Sequence, residues 1–165
     1  EDTFAMTGLS EKAARTAGND VGTSTVSKAH HVTYYPGYAD LYLKIVYDRS
    51  DGRLLGGQAY GREGADKRID ALAAALAGGL TVDDLADLDL AYAPPYNSAN
   101  DPLNMAAYAA QNDLSGYSPS RSARQAAEAL TGGKALLLDV RTYGEYAKGS
   151  IRDSQIGRAS CRERV

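Results

Sequence analysis

Tryptophan is absent from this 165-residue chain, phenylalanine and cysteine each occur once, and histidine occurs twice. The lone Cys161 excludes an internal disulfide. His30 and His31 are adjacent and have no third ligand at a workable spacing, so surface or hydrogen-bonding roles are expected of both rather than a zinc site. No apolar run approaches the roughly 18 residues that a membrane-spanning helix needs. Basic charge is short as well: 18 Lys and Arg stand against 21 Asp and Glu, a formal net charge of −3, and the footprint of a nucleic-acid binder is missing. Gly57, Gly61 and Gly64 fail the G-x-G-x-x-G spacing of a dinucleotide cradle. Asp83, Asp84, Asp87 and Asp89 read as the start and solvated face of a helix, not as a cation cage, so no metal is expected.

What remains has the composition of a globular protein, 44% hydrophobic and 24% charged, with 12 tyrosines as its aromatic stock. Thr3 to Met6 suggests a strand end, followed by a turn into a short helix that Ser10 caps and Gly18-Asn19 ends. Residues 21–34, rich in Val, Thr and Ser, favour a strand. Between Ala39 and Asp48 the alternation is clean: Ala39, Leu41, Leu43, Ile45 and Tyr47 share one face of a half-buried strand. Arg49-Ser50-Asp51-Gly52 turns the chain into a partner strand over 53–60, where Gly56-Gly57 marks a bulge or a close approach. Gly64 to Gly79 is a helix with Ala65, Ile69, Leu72, Ala73 and Leu76 on one stripe. Thr81 caps a second, short one, and Leu103 to Asp113 makes a third. This order predicts an α+β domain, an antiparallel sheet with flanking helices.

Between the last two helices lies Ala91-Tyr92-Ala93-Pro94-Pro95-Tyr96-Asn97-Ser98-Ala99-Asn100-Asp101-Pro102-Leu103-Asn104-Met105. Its prolines fix φ and bias the preceding residues away from helix, which predicts a stiff, extended loop. Such a loop serves either as a plain connection or as a surface that meets something outside its own domain at low entropic cost.

The pattern A-Y-A-P-P-Y-x-S-A-x-D-P-x-N-M resembles the signature loop of the dimerisation domain of FAD-dependent pyridine nucleotide-disulfide oxidoreductases. The likeness is to the single-cysteine branch, the coenzyme A-disulfide reductases and NADH oxidases, and covers roughly residues 3 to 116. It implies a homodimeric, cytoplasmic parent enzyme in which NAD(P)H reduces FAD, and FAD reduces a redox cysteine or its mixed disulfide with CoA. The substrate class is then CoA disulfide, persulfide or polysulfide. The FAD and NAD domains and that cysteine are expected to lie N-terminal to Glu1, leaving this chain as a fragment inactive alone. The resemblance further implies two tyrosines that enter the partner subunit's active site. Tyr34 and Tyr92 are the candidates, with Tyr35 and Tyr96 as alternatives, and tyrosines merely packed at the interface as the structural reading. The backbone at Ala93-Pro94 is expected near the partner's flavin. A freestanding dimerisation or interaction module is the reading from another class.

Gly116 to Ser120 has linker composition, so the domain is expected over 1–116 and the linker over 117–120. Residues 121–130 suit an amphipathic helix and 135–140 a buried strand. Leu136-Leu137-Leu138-Asp139-Val140-Arg141, followed by Glu145-Tyr146-Ala147-Lys148-Gly149-Ser150-Ile151, resembles the start of a rhodanese domain, an incomplete α/β remnant over 121–154. That family usually has His where Ser150 stands and Pro where Arg152 stands. A rhodanese also needs a cysteine on a later loop, in a nest of backbone N–H groups that lowers its pKa, and no such loop is expected here. Residues 155–165 resemble the conceptual translation of a short-read sequencing adapter and are expected to be an artefact.

Overall fold

The computed structural model, which describes residues 1–133 and 135–157, runs β1 (Thr3–Gly8), α1 (Glu11–Thr16), β2 (Val21–Ala29), β3 (Asp40–Asp48), β4 (Leu54–Gly61), α2 (Ala65–Ala77), α3 (Val82–Ala86), α4 (Pro102–Leu114), α5 (Ala123–Thr131), β5 (Leu138–Asp139), α6 (Tyr143–Ala147) and β6 (Gln155–Ile156). Residues 1–120 and those from 121 onward form two compact units.

In the first unit the sheet has the order β1-β4-β3-β2, antiparallel throughout. Strict alternation decides its two faces. Leu41, Leu43, Ile45 and Tyr47 are fully buried and, with Ile69, Leu72, Leu85, Leu103 and Ala107, form the core beneath α2, α3 and α4. On the opposite face Val46 is covered by Ala14 of α1. Phe4, Met6, Tyr42 and Tyr60 on that same face stay open. The expected antiparallel sheet with flanking helices is the one observed. The stripe of α2 differs in detail: Ala65, Arg68, Ile69, Leu72 and Ala75 are buried, while Ala73 and Leu76 are half-buried.

Both expectations for Gly56-Gly57 have a counterpart. The register slips between Val46 and Tyr47, so that Val46 faces Gly56 while Tyr47 faces Leu54, leaving Leu55 as the extra residue. At Gly57 a Cβ would run into Leu72 Cδ2 of α2 and lie 2.8 Å from the Lys44 carbonyl. The missing side chain lets the helix sit on the sheet.

The strand expected over 21–34 ends at Ala29. The His30 N–H still donates in register to Ala39 O (3.0 Å), but the Val32 N–H turns away to Asn97 O (3.2 Å), outside the ladder. Asn97 is 65 residues beyond Val32, outside the reach of local β propensity.

In the second unit β5 and β6 pair in parallel, Leu138 with Gln155 and Asp139 with Ile156. The buried strand expected over 135–140 shrinks to two residues, and Leu136, Leu138 and Val140 are exposed. The described part of this unit offers one short partner strand and no layer to cover their side chains. Of the tail expected to be an artefact, residues 155–157 are described; 158–165, Cys161 included, lie outside the described residues.

Two outcomes follow from the core. Gly57→Val should destabilise the chain by about 1–3 kcal/mol through overpacking against Leu72, read as a lower urea midpoint; an unchanged midpoint contradicts the close approach. Tyr47 donates to Asp113 Oδ2 at 2.8 Å, and burial, reinforced by that carboxylate, pushes its phenol well above the ordinary value. A raised folded pKa contributes stability that is complete below the unfolded pKa and is lost as pH rises above it. Tyr47→Phe should therefore cost about 1.5–3 kcal/mol at pH 7 for the lost charged hydrogen bond. It should also flatten the fall in stability above pH about 10, where a free phenol ionises. Equal alkaline slopes for the two proteins would refute the linkage.

Candidate functional site

Two connections meet at one end of the first unit: residues 30–39 between β2 and β3, and residues 87–101 between α3 and α4. In the first, the Ala39 N–H reaches His30 Nδ1 at 3.1 Å, and the same nitrogen lies 3.2 Å from Ala39 O. Burial is the main cause that pushes the His30 pKa below the ordinary imidazole value. His31 is buried; its Nδ1 lies 2.9 Å from Val32 O and donates to it, and its ring meets that of Tyr35 edge-on at 5.6 Å. Both histidines have local structural partners. No group of three or more His, Cys, Asp or Glu is placed to hold a metal among the described residues.

The second connection is less extended than its prolines suggest. Ala93 O accepts from both Tyr96 N–H (2.9 Å) and Asn97 N–H (3.1 Å), closing a turn over Pro94-Pro95. Beyond it Asp101 caps α4. Its Oδ1 takes the Leu103 N–H at 2.8 Å, Pro102 occupies the first turn where no N–H is needed, and Asn104 Oδ1 returns to the Asp101 N–H at 3.0 Å. The Asn104 amide then donates to the carbonyls of Ala86 (3.1 Å) and Leu88 (3.0 Å) at the end of α3.

Arg68 of α2 joins these parts. Its side chain is 1% exposed and faces Asp101, itself 2% exposed, at 2.9 Å. Nη2 also donates to His30 O (2.7 Å) and Asn97 Oδ1 (3.1 Å), and Nη1 to Gly64 O (3.3 Å). The buried Asn97 passes the connection on, its Nδ2 donating to Ala91 O at 3.1 Å.

This scaffold brings Tyr34 and Tyr92 together. Their hydroxyls lie 3.5 Å apart, at the outer limit of a hydrogen bond, and the contact raises the Tyr34 pKa above the ordinary phenol value. Both rings are open to solvent, 73% and 50% exposed. Tyr35 packs toward His31 instead, and Tyr96, 68% exposed, lines the same cleft as Tyr92. Beside the pair opens a cleft of about 380 Å³ lined by His30, Lys67, Arg68, Tyr92, Ala93, Pro95 and Tyr96. Pro94 is half-buried next to it.

Arg68, Asn97, Asp101 and Asn104 were not singled out by sequence reasoning. A signal existed for Arg68, which follows Ala65 by three residues and precedes Leu72 by four, inside the apolar stripe. A charge there must find a buried partner.

The family described as "Pyridine nucleotide-disulphide oxidoreductase, dimerisation domain" matches residues 3–102. Coenzyme A disulfide reductase of Staphylococcus aureus is 46% identical over 86 residues, covering 52% of this chain and 20% of that protein. Among solved structures, reduced Bacillus anthracis CoADR-RHD is similar with a TM-score of 0.91 and 36% identity, over 99% of this chain and 29% of that one. An NAD-dependent persulfide reductase from A. fulgidus gives a TM-score of 0.86 at 33% identity, over 99% of this chain and 29% of that one. A water-forming NADH oxidase from Lactobacillus brevis gives 0.67 at 25% identity, over 70% of this chain and 26% of that one. The chain thus spans about a fifth of the length of the curated relatives it matches. With the family matched over most of its length and the antiparallel sheet and its helices in place, the chain belongs to the dimerisation-domain family of the pyridine nucleotide-disulphide oxidoreductases.

Proposed function

We propose that this chain is the dimerisation part of an FAD-dependent NAD(P)H oxidoreductase acting on CoA disulfide, CoA persulfide or polysulfide, and that Tyr34 and Tyr92 act in the partner subunit's active site. The observation that carries this reading is the contact between two exposed phenols, of which Tyr92 lines a cleft, in a domain whose family joins two subunits. The names of the similar proteins favour CoA and persulfide chemistry. An NADH oxidase is the second reading, supported by a structural likeness over a smaller share of the chain.

The chemistry asked of the chain is modest. Thiol–disulfide exchange breaks an S–S bond and expels a thiolate, whose departure is eased by a donated proton or hydrogen bond. A phenol is a neutral O–H donor at pH 7, so Tyr34 and Tyr92 bring the proton such a step needs. The proton passes from a phenol to the departing sulfur, and the phenolate regains one from solvent.

FAD and NAD(P)H would supply the reducing electrons, yet the described residues do not form a cradle for either. The sheet of the first unit is antiparallel; Gly57 and Gly61 lie in β4 and Gly64 caps α2, none of them in a phosphate-binding turn after a parallel strand. On this reading the cofactors are held by other domains, and the Ala93-Pro94 backbone makes at most an edge contact with the partner's flavin. Residues 1–116 form the dimerisation domain, 117–120 a linker and 121–154 the beginning of a rhodanese-like domain, with a cytoplasmic setting. No helix among the described residues is long and apolar enough to cross a membrane.

The test is NAD(P)H-dependent reduction of CoA disulfide by the flavoprotein that carries this chain. Tyr34→Phe with Tyr92→Phe should lower turnover by about 10²-fold, the range of one general acid, while flavin content and dimerisation persist. Full turnover in a dimeric double variant would leave the two tyrosines as interface packing.

A further inference from the structure

We propose that Arg68 is a positioning residue for the tyrosine pair, tying together through Asn97 the two loops that carry Tyr34 and Tyr92. Its purpose rests on the functional reading above; its geometry does not. One guanidinium nitrogen, Nη2, donates both to His30 O, at the root of the loop bearing Tyr34, and to Asn97 Oδ1. Asn97 then holds Ala91 O, one residue before Tyr92, and accepts the Val32 N–H, two residues before Tyr34. The tyrosine rings themselves are exposed, and among the described residues each has the other as its side-chain partner across the loops, so their spacing is set by the backbones beneath them. Asp101 anchors the guanidinium from α4. A lysine would keep the charge but could not reach Asp101, His30 and Asn97 in three directions at once.

The experiment is a double-mutant cycle on the full chain, labelled with ¹³C at tyrosine Cζ and titrated by NMR. Tyr92→Phe should lower the Tyr34 titration midpoint in the unaltered chain, because the contact with Tyr92 raises it. In Arg68→Met/Asp101→Asn, which leaves no buried charge unpaired, Tyr34 should already titrate at the lower midpoint, and adding Tyr92→Phe should move it no further. Asn97→Ala, which spares the ion pair, should give the same loss of response. It stands in if the charge-free variant does not fold. Tyr47→Phe, a destabilised control remote from these loops, should keep the full response. A full response in Arg68→Met/Asp101→Asn or in Asn97→Ala, a lost response in Tyr47→Phe, or no response in the unaltered chain would overturn the proposal. Turnover unaffected by loss of both tyrosines would overturn the functional reading alone, leaving the ring coupling to be decided by this cycle.

Discussion

The first unit depends on a charge that water cannot reach. Arg68 and Asp101 are both almost fully buried, and removing either alone would strand the other, at about 3–5 kcal/mol. A buried ion pair adds little net stability over an apolar pair of the same shape, so its value lies in what it specifies. Here it specifies where α2, the end of β2 and the turn after Pro95 stand relative to one another. Four of the guanidinium's five N–H groups end on a named acceptor: a carboxylate, two carbonyls and an amide. Apolar packing between α2 and the sheet would tolerate sliding; a fork with four fixed acceptors does not.

How much of this was legible depended on whether the cause was local. The alternation of Leu41, Leu43, Ile45 and Tyr47, the Gly52 turn and the Thr81 cap are short-range effects, and each lies where period and turn chemistry put it. The Asp101-Pro102-x-Asn104 cap was visible as part of a motif, but its reach to the end of α3 was not. The chain past His30 left the strand with the Val32 N–H bound to Asn97, a partner no local window of sequence contains. The tyrosine pairing came from a family resemblance. Periodicity carries no information about two loops 58 residues apart.

The aromatic composition also has a physical reading. Twelve tyrosines with one phenylalanine suit a domain whose surfaces are wet at one time and covered at another. Tyr47 is fully enclosed, and its hydroxyl is satisfied by Asp113, which Arg49 also holds at 2.6 Å. Tyr42 and Tyr60 lie on the open face of the sheet with ring centroids 6.3 Å apart, and Tyr60 donates to Asp2 at 2.6 Å. A phenol provides apolar area without a fixed demand for burial, so the same residue type serves the core, the bare sheet and the exposed pair of Tyr34 and Tyr92.

Gly64 and Arg68 have to be understood together. Gly64 caps α2 with φ of 73°, a conformation that residues with a side chain rarely adopt. A Cβ there would also run into Arg68 Nη1. Strain and collision therefore act on the same atom, and relief of the collision would push the guanidinium away from Asp101. One helical turn later the arginine bonds back to the Gly64 carbonyl, so the residue that must lack a side chain also supplies an acceptor. The glycine at the start of the helix is thus part of the ion pair's geometry, and the spacing G-x-x-x-R at the head of an apolar stripe is the shortest piece of sequence in which this dependence is written.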